Sequence, residues 1–323
     1  MHKKQNVLIA ACVATAFFAV VNVLMLHLLH PMEKPEIFQH PVPTQVRVKV
    51  SDKVLPRPVT DQSEVNVSSA VSVVCGLDDA TADRYEERND ALRSIARRRD
   101  VAQGDVVALM AYVCATGDTL RVERTAALKN DVVNLLRNQE PMPGGLAEML
   151  MEMFNSGEHP AAVLDYCIQH LGAMLNDVTD ESLRERIRSV FGSAAKRIDR
   201  SFAGTALYAL ADDRRATTPQ EGLLRRLTVD ACGTNANQIV RIAAIQLAGQ
   251  RGYSEVLPLL RKSLASPQRD AVFDMVAIGS IGLLGGAGDL PLLEKLRSSG
   301  GVRLRPAIDA AIARIGRKDN IKK

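Results

Sequence analysis

Tryptophan is absent from this chain, and phenylalanine and tyrosine bring the aromatic share to only 4% of 323 residues. That scarcity argues against single-stranded nucleic-acid grooves, which need aromatic stacking platforms. Charge bias is small as well. Lys plus Arg number 41 against 37 Asp plus Glu, so net charge implies no polyanionic partner. The five cysteines, Cys12, Cys75, Cys114, Cys167 and Cys232, include no C-x-x-C pair, which removes the usual signature of a zinc ribbon or a thioredoxin-type redox site. The glycine-rich stretch Gly282-Leu283-Leu284-Gly285-Gly286-Ala287-Gly288 lacks the Gly-Lys-Ser/Thr ending of a phosphate loop and reads as a turn between helices. His2, His27, His30, His40 and His159 form no cluster. These patterns imply no metal, no cofactor and no assigned catalytic residue.

What is present begins with an apolar run. After a short polar tail at residues 1–6, the stretch from Val7 to Leu26 carries no charge. About twenty apolar residues at helical rise match the hydrocarbon thickness of a bilayer. We therefore expect residues 7–29 to form a transmembrane anchor. His2, Lys3 and Lys4 favour an inside N-terminus, which places everything after residue 30 in a periplasmic or other extracytoplasmic space. A cleaved signal is the alternative, with Ala14-Thr15-Ala16 as its small-residue site. Cleavage there would leave a greasy N-terminus from Phe17 to Leu29. Ile9-Ala10-Ala11-Cys12 has the form of a lipid-attachment box, but too few apolar residues precede it.

From residue 30 to about residue 79 the chain changes character. Prolines at 31, 35, 41, 43, 56 and 58 alternate with polar and β-branched residues, as in an extended spacer. Two patches, Gln45 to Val50 and Ala70 to Cys75, alternate like short strands. Asn66-Val67-Ser68 is a glycosylation sequon, meaningful only in a eukaryotic secretory pathway.

Residues 80–317 read almost entirely as helices, followed by a basic disordered tail at 318–323. Expected spans are 81–98, 103–116, 119–138, 144–155, 160–175, 180–196, 201–212, 218–231, 235–250, 254–265, 268–284, 289–298 and 303–316. Asp118-Thr119, Asp180, Ser201, Thr218 before Pro219, and Asp289 before Pro291 supply start signals. Gly172, Gly252, Gly285 and Gly286 supply stops or turns.

Within these helices the chain repeats itself. Leu257-Pro258-Leu259-Leu260 returns as Leu290-Pro291-Leu292-Leu293, and Ala244-Ile245 returns as Ala277-Ile278. A period of about 33 residues marks helical pairs that bury their apolar faces only by stacking on neighbours. Looser copies extend upstream through Thr205 to Leu210 and Tyr166 to Gly172. The fold class expected is all-α, an α-solenoid.

These units resemble HEAT repeats, most closely the short HEAT-like kind also found in phycobilisome lyases. The residues that carry the likeness are the Ala-Ala-Ile-x-Leu-Ala-Gly run at 243–249 and the Val-Leu-Pro-Leu-Leu-x-x-x-Leu run at 256–264. Pro258 and Pro291 stand in the first turn of a second helix, where a missing amide hydrogen matters little. The likeness is firm over 235–316 and loose over 160–232. It implies an Arg–Asp ladder between successive units, with Arg241 and Asp274 in matching positions.

Chemistry is thinly signalled. Asp165, Cys167 and His170 cluster on one predicted helix, enough for part of a metal site or a Cys–His dyad but more readily explained by helix packing. Cys75 and Cys114 are candidates for a disulfide if the array lies outside the cytoplasm. Lys129-Asn130-Asp131 places polar groups in an apolar helix, where tying adjacent units together is the expected role. Arginines at 97–99, 184–188, 214–215 and 225–226 could line a basic face, but interleaved acids mark an ordinary charged surface. The expectation is a tethered, non-catalytic scaffold or adaptor that docks a protein or peptide on a concave face and binds no nucleic acid. The alternatives are a HEAT-like lyase acting on a small molecule, or a solenoid secreted after signal cleavage.

Overall fold

A computed structural model describes residues 66–77, 83–118, 120–266, 270–299 and 302–321. All of them fall within one compact unit, Gln62–Lys323. The expected anchor at 7–29, the part of the expected 30–79 spacer before residue 66, and the patch Gln45 to Val50 lie outside the described residues. Among the described residues no helix is long and apolar enough to cross a membrane.

The described chain is all-α. Its helices are α1 Val67–Val74, α2 Tyr85–Ile95, α3 Gln103–Cys114, α4 Val122–Arg137, α5 Leu146–Ser156, α6 Ala161–Leu175 and α7 Glu181–Ala195. They continue as α8 Phe202–Ala211, α9 Thr218–Ala231, α10 Gln238–Arg251, α11 Leu257–Ala265, α12 Ala271–Leu284, α13 Leu290–Ser299 and α14 Arg305–Ile321. Short 3-10 turns at Ser254–Val256 and Ala287–Asp289 lead into α11 and α13. Every helix expected from residue 81 onward has its counterpart.

Packing sorts the helices into two layers. Each odd-numbered helix packs along the even-numbered helix that follows it. The even-numbered helices also pack on one another without interruption, from α2 through α14. The odd layer is looser: α1, α3, α5 and α7 touch in succession, but close backbone approach lapses after α7. Small residues explain the tight layer. A Cβ added at Gly172 would lie 3.1 Å from Ala209 Cβ, and one at Gly204 would lie 3.1 Å from Ala243 Cβ. Gly249 faces Ser280 and Gly282 faces Ala311 at still closer range. Backbones approach where no side chain intervenes, and the apolar core fills the space between the layers.

Several sequence expectations change here. Ala70 to Cys75, read as strand-like, belongs to α1 and to the C-cap after it. Asn66 Oδ1 caps that helix by accepting from Ser69 N, and Ala70, Val71 and Val74 are buried. Their i, i+1, i+4 spacing is a helical face, so packing on α2 and α3 overrides β-branched propensity. Gly172 is not a stop; it sits inside α6 where α8 crosses closest. The tail at 318–323 is not wholly irregular, because α14 runs to Ile321. Lys318 Nζ donates to the Leu283 and Gly285 carbonyls at the open end of α12, which holds that last turn. The pairing frame also shifts. α11, with Pro258, packs along the following Ala277-Ile278 helix, and α10 meets the 3-10 turn before α11.

Caps set the register of the repeat. Asp270 Oδ1 accepts from both Val272 N and Phe273 N, while Oδ2 accepts from Gln238 Nε2 on α10. Asp270→Ala is expected to cost about 1–2 kcal/mol, read as a lower urea midpoint at unchanged slope.

Candidate functional site

The residues singled out for chemistry go mostly into helix interfaces. Cys167 and His170 are both buried on α6. Burial pushes the Cys167 thiol up to about 12, so it is a protonated, inert group at neutral pH. His170 Nδ1 accepts from Arg137 Nη1 at 3.3 Å, and its Nε2–H donates to Asn130 Oδ1 at 3.1 Å. Both ring nitrogens are therefore occupied by α4, and the imidazole ties α4 to α6 instead of activating a thiol. Burial, with Arg137 beside it, lowers its pKa to about 4.

That shift has a testable sign. Unfolded histidine binds a proton near pH 6.5, while folded His170 resists until about pH 4. Stability is fully present above the unfolded value and declines as pH falls through that window. An NMR titration should find the His170 ring neutral at pH 5.5; a ring already protonated there would contradict the assignment.

Asp165 is the exception among the candidates, because the residue is only partly covered, although its Oδ1 is buried. Burial raises its pKa, with the Thr205 and Gln169 side chains offsetting this in part. One oxygen, Oδ1, has no hydrogen-bond partner.

The cysteines at 75 and 114 are free thiols, as are Cys167 and Cys232. Cys75 Sγ donates to the Ala108 carbonyl at 3.7 Å, away from Cys114 at the C-terminal end of α3. Burial pushes Cys75 up to about 11 and Cys232 up to about 12. Thiol alkylation of the folded protein, read residue by residue by mass spectrometry, should modify exposed Cys114 first. Cys167 and Cys232 should react only on unfolding. Among the described residues, no group of three or more His, Cys, Asp or Glu converges as a metal site.

Lys129 performs the tying role expected of it. Its ammonium, buried in α4, donates to the Val113 and Ala115 carbonyls at the end of α3. The Arg241–Asp274 pair takes another form. Arg241 lays its guanidinium over the Phe273 ring, 4.4 Å from the centroid; among the described residues no ion pair joins Arg241 to buried Asp274, which has other interactions.

Acid–base clasps do recur, but inside hairpins. Arg184 and Arg188 on α7 hold Asp213 after α8. Arg225 on α9 holds Glu255 after α10, and Arg261 on α11 holds Asp289 after α12. Near the N-terminal end, Arg88 on α2 pairs through both terminal nitrogens with Asp118 after α3. Antiparallel helices explain the first three, because the first helix of a hairpin passes the end of the second; the Arg88–Asp118 clasp instead joins one hairpin to the next. The arginines at 184–188 and 225–226 thus belong to the odd layer, and those at 97–99 and 214–215 to turns.

Among the described residues, two open surfaces stand out. One is a cleft of about 270 Å³ between α7 and α9, where the odd layer separates. Ser189, Gly192 and Ser193 are too small to fill it, and Gln220 Nε2 bridges it to Glu185. The other is the outer face of the even layer. On these helices Asp131 and Asn134 of α4 and Gln169 of α6 are exposed, and Thr205 and Tyr208 of α8 are half-buried. Gln246 of α10 accepts from Tyr208 Oη at 3.1 Å. Farther along, Ile239 of α10 and Met275 of α12 are each 46% exposed, and Leu283 continues the apolar stretch. α6, α8 and α12 contain no Lys or Arg. In a chain with 41 basic residues, this bare strip is the signal legible in the sequence.

No known family model, curated protein or solved structure matches the chain. The reading of function therefore rests on the layers, the clasps and these two surfaces.

Proposed function

We propose that this protein is a tethered docking scaffold: an α-solenoid of HEAT-like hairpins, held to a membrane by residues 7–29, that binds a protein or peptide along its even-layer face. The carrying observation is the continuity of that face. Close glycine contacts align α6, α8, α10 and α12, and their outward residues include exposed aliphatics without a basic side chain on three of the four helices. Exposed apolar residues grouped on one face suit a partner better than solvent. The buried Cys167 and His170 supply no open reaction centre on this face, so a scaffold fits better than a lyase.

A photo-crosslinking amino acid at Met275 or Gln246, compared with Lys262 or Arg226 on odd helices, tests the assignment in membranes of the source cells. Even-layer positions should give one shared adduct and odd-layer positions none. Adducts confined to the odd positions would overturn it. Alkaline carbonate washing should leave the protein in the membrane pellet, and release into the supernatant would remove the anchor.

A further inference from the structure

With eight residues, α1 is the shortest α-helix among those described. In water a helix needs about 12–15 residues to persist alone, so α1 exists only while it is docked. Its apolar hold is small, since the residues it buries are Ala70, Val71 and Val74. It packs on α2 and α3, and both of those helices pack on α4 as well. The array beyond α1 is therefore braced without it.

Arg88 of α2 fastens the C-terminal end of α1. This side chain is 1% exposed, and its Nε donates to the Val74 carbonyl at 3.0 Å. Its guanidinium lies against Gly76, where an added Cβ would stand 3.1 Å from Nη1. From the other side Asp118 holds the same guanidinium at 2.9 and 3.1 Å, and the Tyr112 ring lies 5.1 Å away. Asp118 in turn accepts from Tyr112 Oη and the Leu120 amide. Arg88 thus keeps its counter-charge whether α1 is docked or not, and releasing α1 strands no buried ion. The remaining ties sit at the edges: exposed Ser68 Oγ donates to Asp105, and half-buried Cys75 Sγ donates to the Ala108 carbonyl.

We infer that α1 is a releasable strap with Arg88 as its buckle: residues 66–77 leave the array as one unit while α4–α14 stay folded. This goes beyond the docking reading and does not depend on it. Partial openings of this kind draw on elements with few buried apolar contacts. The consequence is reach. Released as extended chain, residues 66–77 span up to about 40 Å at about 3.3 Å each. Whatever the chain carries before residue 66 then moves away from the array without unfolding it.

Hydrogen exchange of the full chain, followed by mass spectrometry over a series of low urea concentrations, tests the strap. The amides bonded within α1 and just after it include Cys75 N to Val71 O and Leu77 N to Ser72 O. They should exchange at least about a hundredfold faster than those of α8 and α10, with little urea dependence, because the opening exposes little surface. Arg88→Lys keeps a positive charge beside Asp118 but replaces the fork by a single ammonium. It should speed exchange of 66–77 at least about tenfold more and leave α8 unchanged. Gly76→Ala should act in the same way with Arg88 intact, because its φ of 68° disfavours a side chain and the new Cβ meets the guanidinium. Exchange of 66–77 that matches α8 and rises as steeply with urea would overturn the inference, since α1 would then leave only with the array. Variants that alter α1 and α8 alike, or leave 66–77 as it was, would also overturn it.

Discussion

Replacing Asp213 by Ala should lower the unfolding free energy by about 3–5 kcal/mol, the usual consequence of stranding a buried charge. Asp213 is 2% exposed at its side chain, and its partners Arg184 and Arg188 are 1% and 6% exposed. Its Oδ1 accepts from Arg184 at 3.1 Å and its Oδ2 from Arg188 at 2.7 Å. Removing it leaves two guanidiniums facing each other in the α7–α8 hairpin. Glu181 and Glu185 also reach these arginines, but both glutamates are largely solvated and screen poorly at depth. A domain typically holds only about 5–15 kcal/mol in total, so urea melts should show a large midpoint shift. A loss under about 1 kcal/mol would mean that the cluster is solvated.

The same cluster governs acid stability. Burial raises the Asp213 carboxyl, but hydrogen bonds from Arg188 and the Arg215 amide outweigh it, so the net shift is downward. Asp289 is held low chiefly by Arg261, and Asp118 falls below its usual value despite burial because Arg88 and the Leu120 amide bind it. A depressed carboxyl stabilises the fold above its unfolded pKa, near 3.9, and that contribution disappears as pH drops through the lower folded value. Together with His170, these groups give one direction: stability declines in acid, beginning below about pH 6.5 and steepening below about pH 4.

Much of this fold was legible because its determinants are local. Asp180 and Pro219 sit where a first turn needs a cap or tolerates a lost amide, and α7 and α9 begin there. Gly252 adopts φ 76° after α10, the left-handed stop its sequence position suggests. Asp118, a start signal by sequence, accepts from the Leu120 amide and is also the clasp for Arg88, a role set by a helix 30 residues away. α1 is not legible in the sequence because Val71, Val73 and Val74 favour strands locally, and contact with α2 and α3 makes them helical. Cys167 and His170 fall one turn apart, and spacing alone does not say whether such a face meets solvent or α4. The open strip was visible as missing charge, but assigning it to one surface required knowing that α6, α8, α10 and α12 share a layer.

That shared layer yields the second large effect. Gly282→Val is expected to destabilise by about 3 kcal/mol, the upper end for overpacking a dense interface. A Cβ at Gly282 would stand 2.8 Å from Ala311 Cα and 2.9 Å from Ala311 Cβ. The obstacle is backbone, which no rotamer change relieves. Three positions earlier on the same helix, a Cβ at Gly279 would meet nothing within 4 Å. Gly279→Ala should therefore stabilise by about 0.5–1 kcal/mol through helix propensity alone. Opposite signs for two glycines one turn apart discriminate layer packing from a general intolerance of substitution in α12. If both variants melted alike, α12 and α14 would not approach as closely as their small residues permit. The even layer would then lose the contact that carries its outer face across the last hairpin.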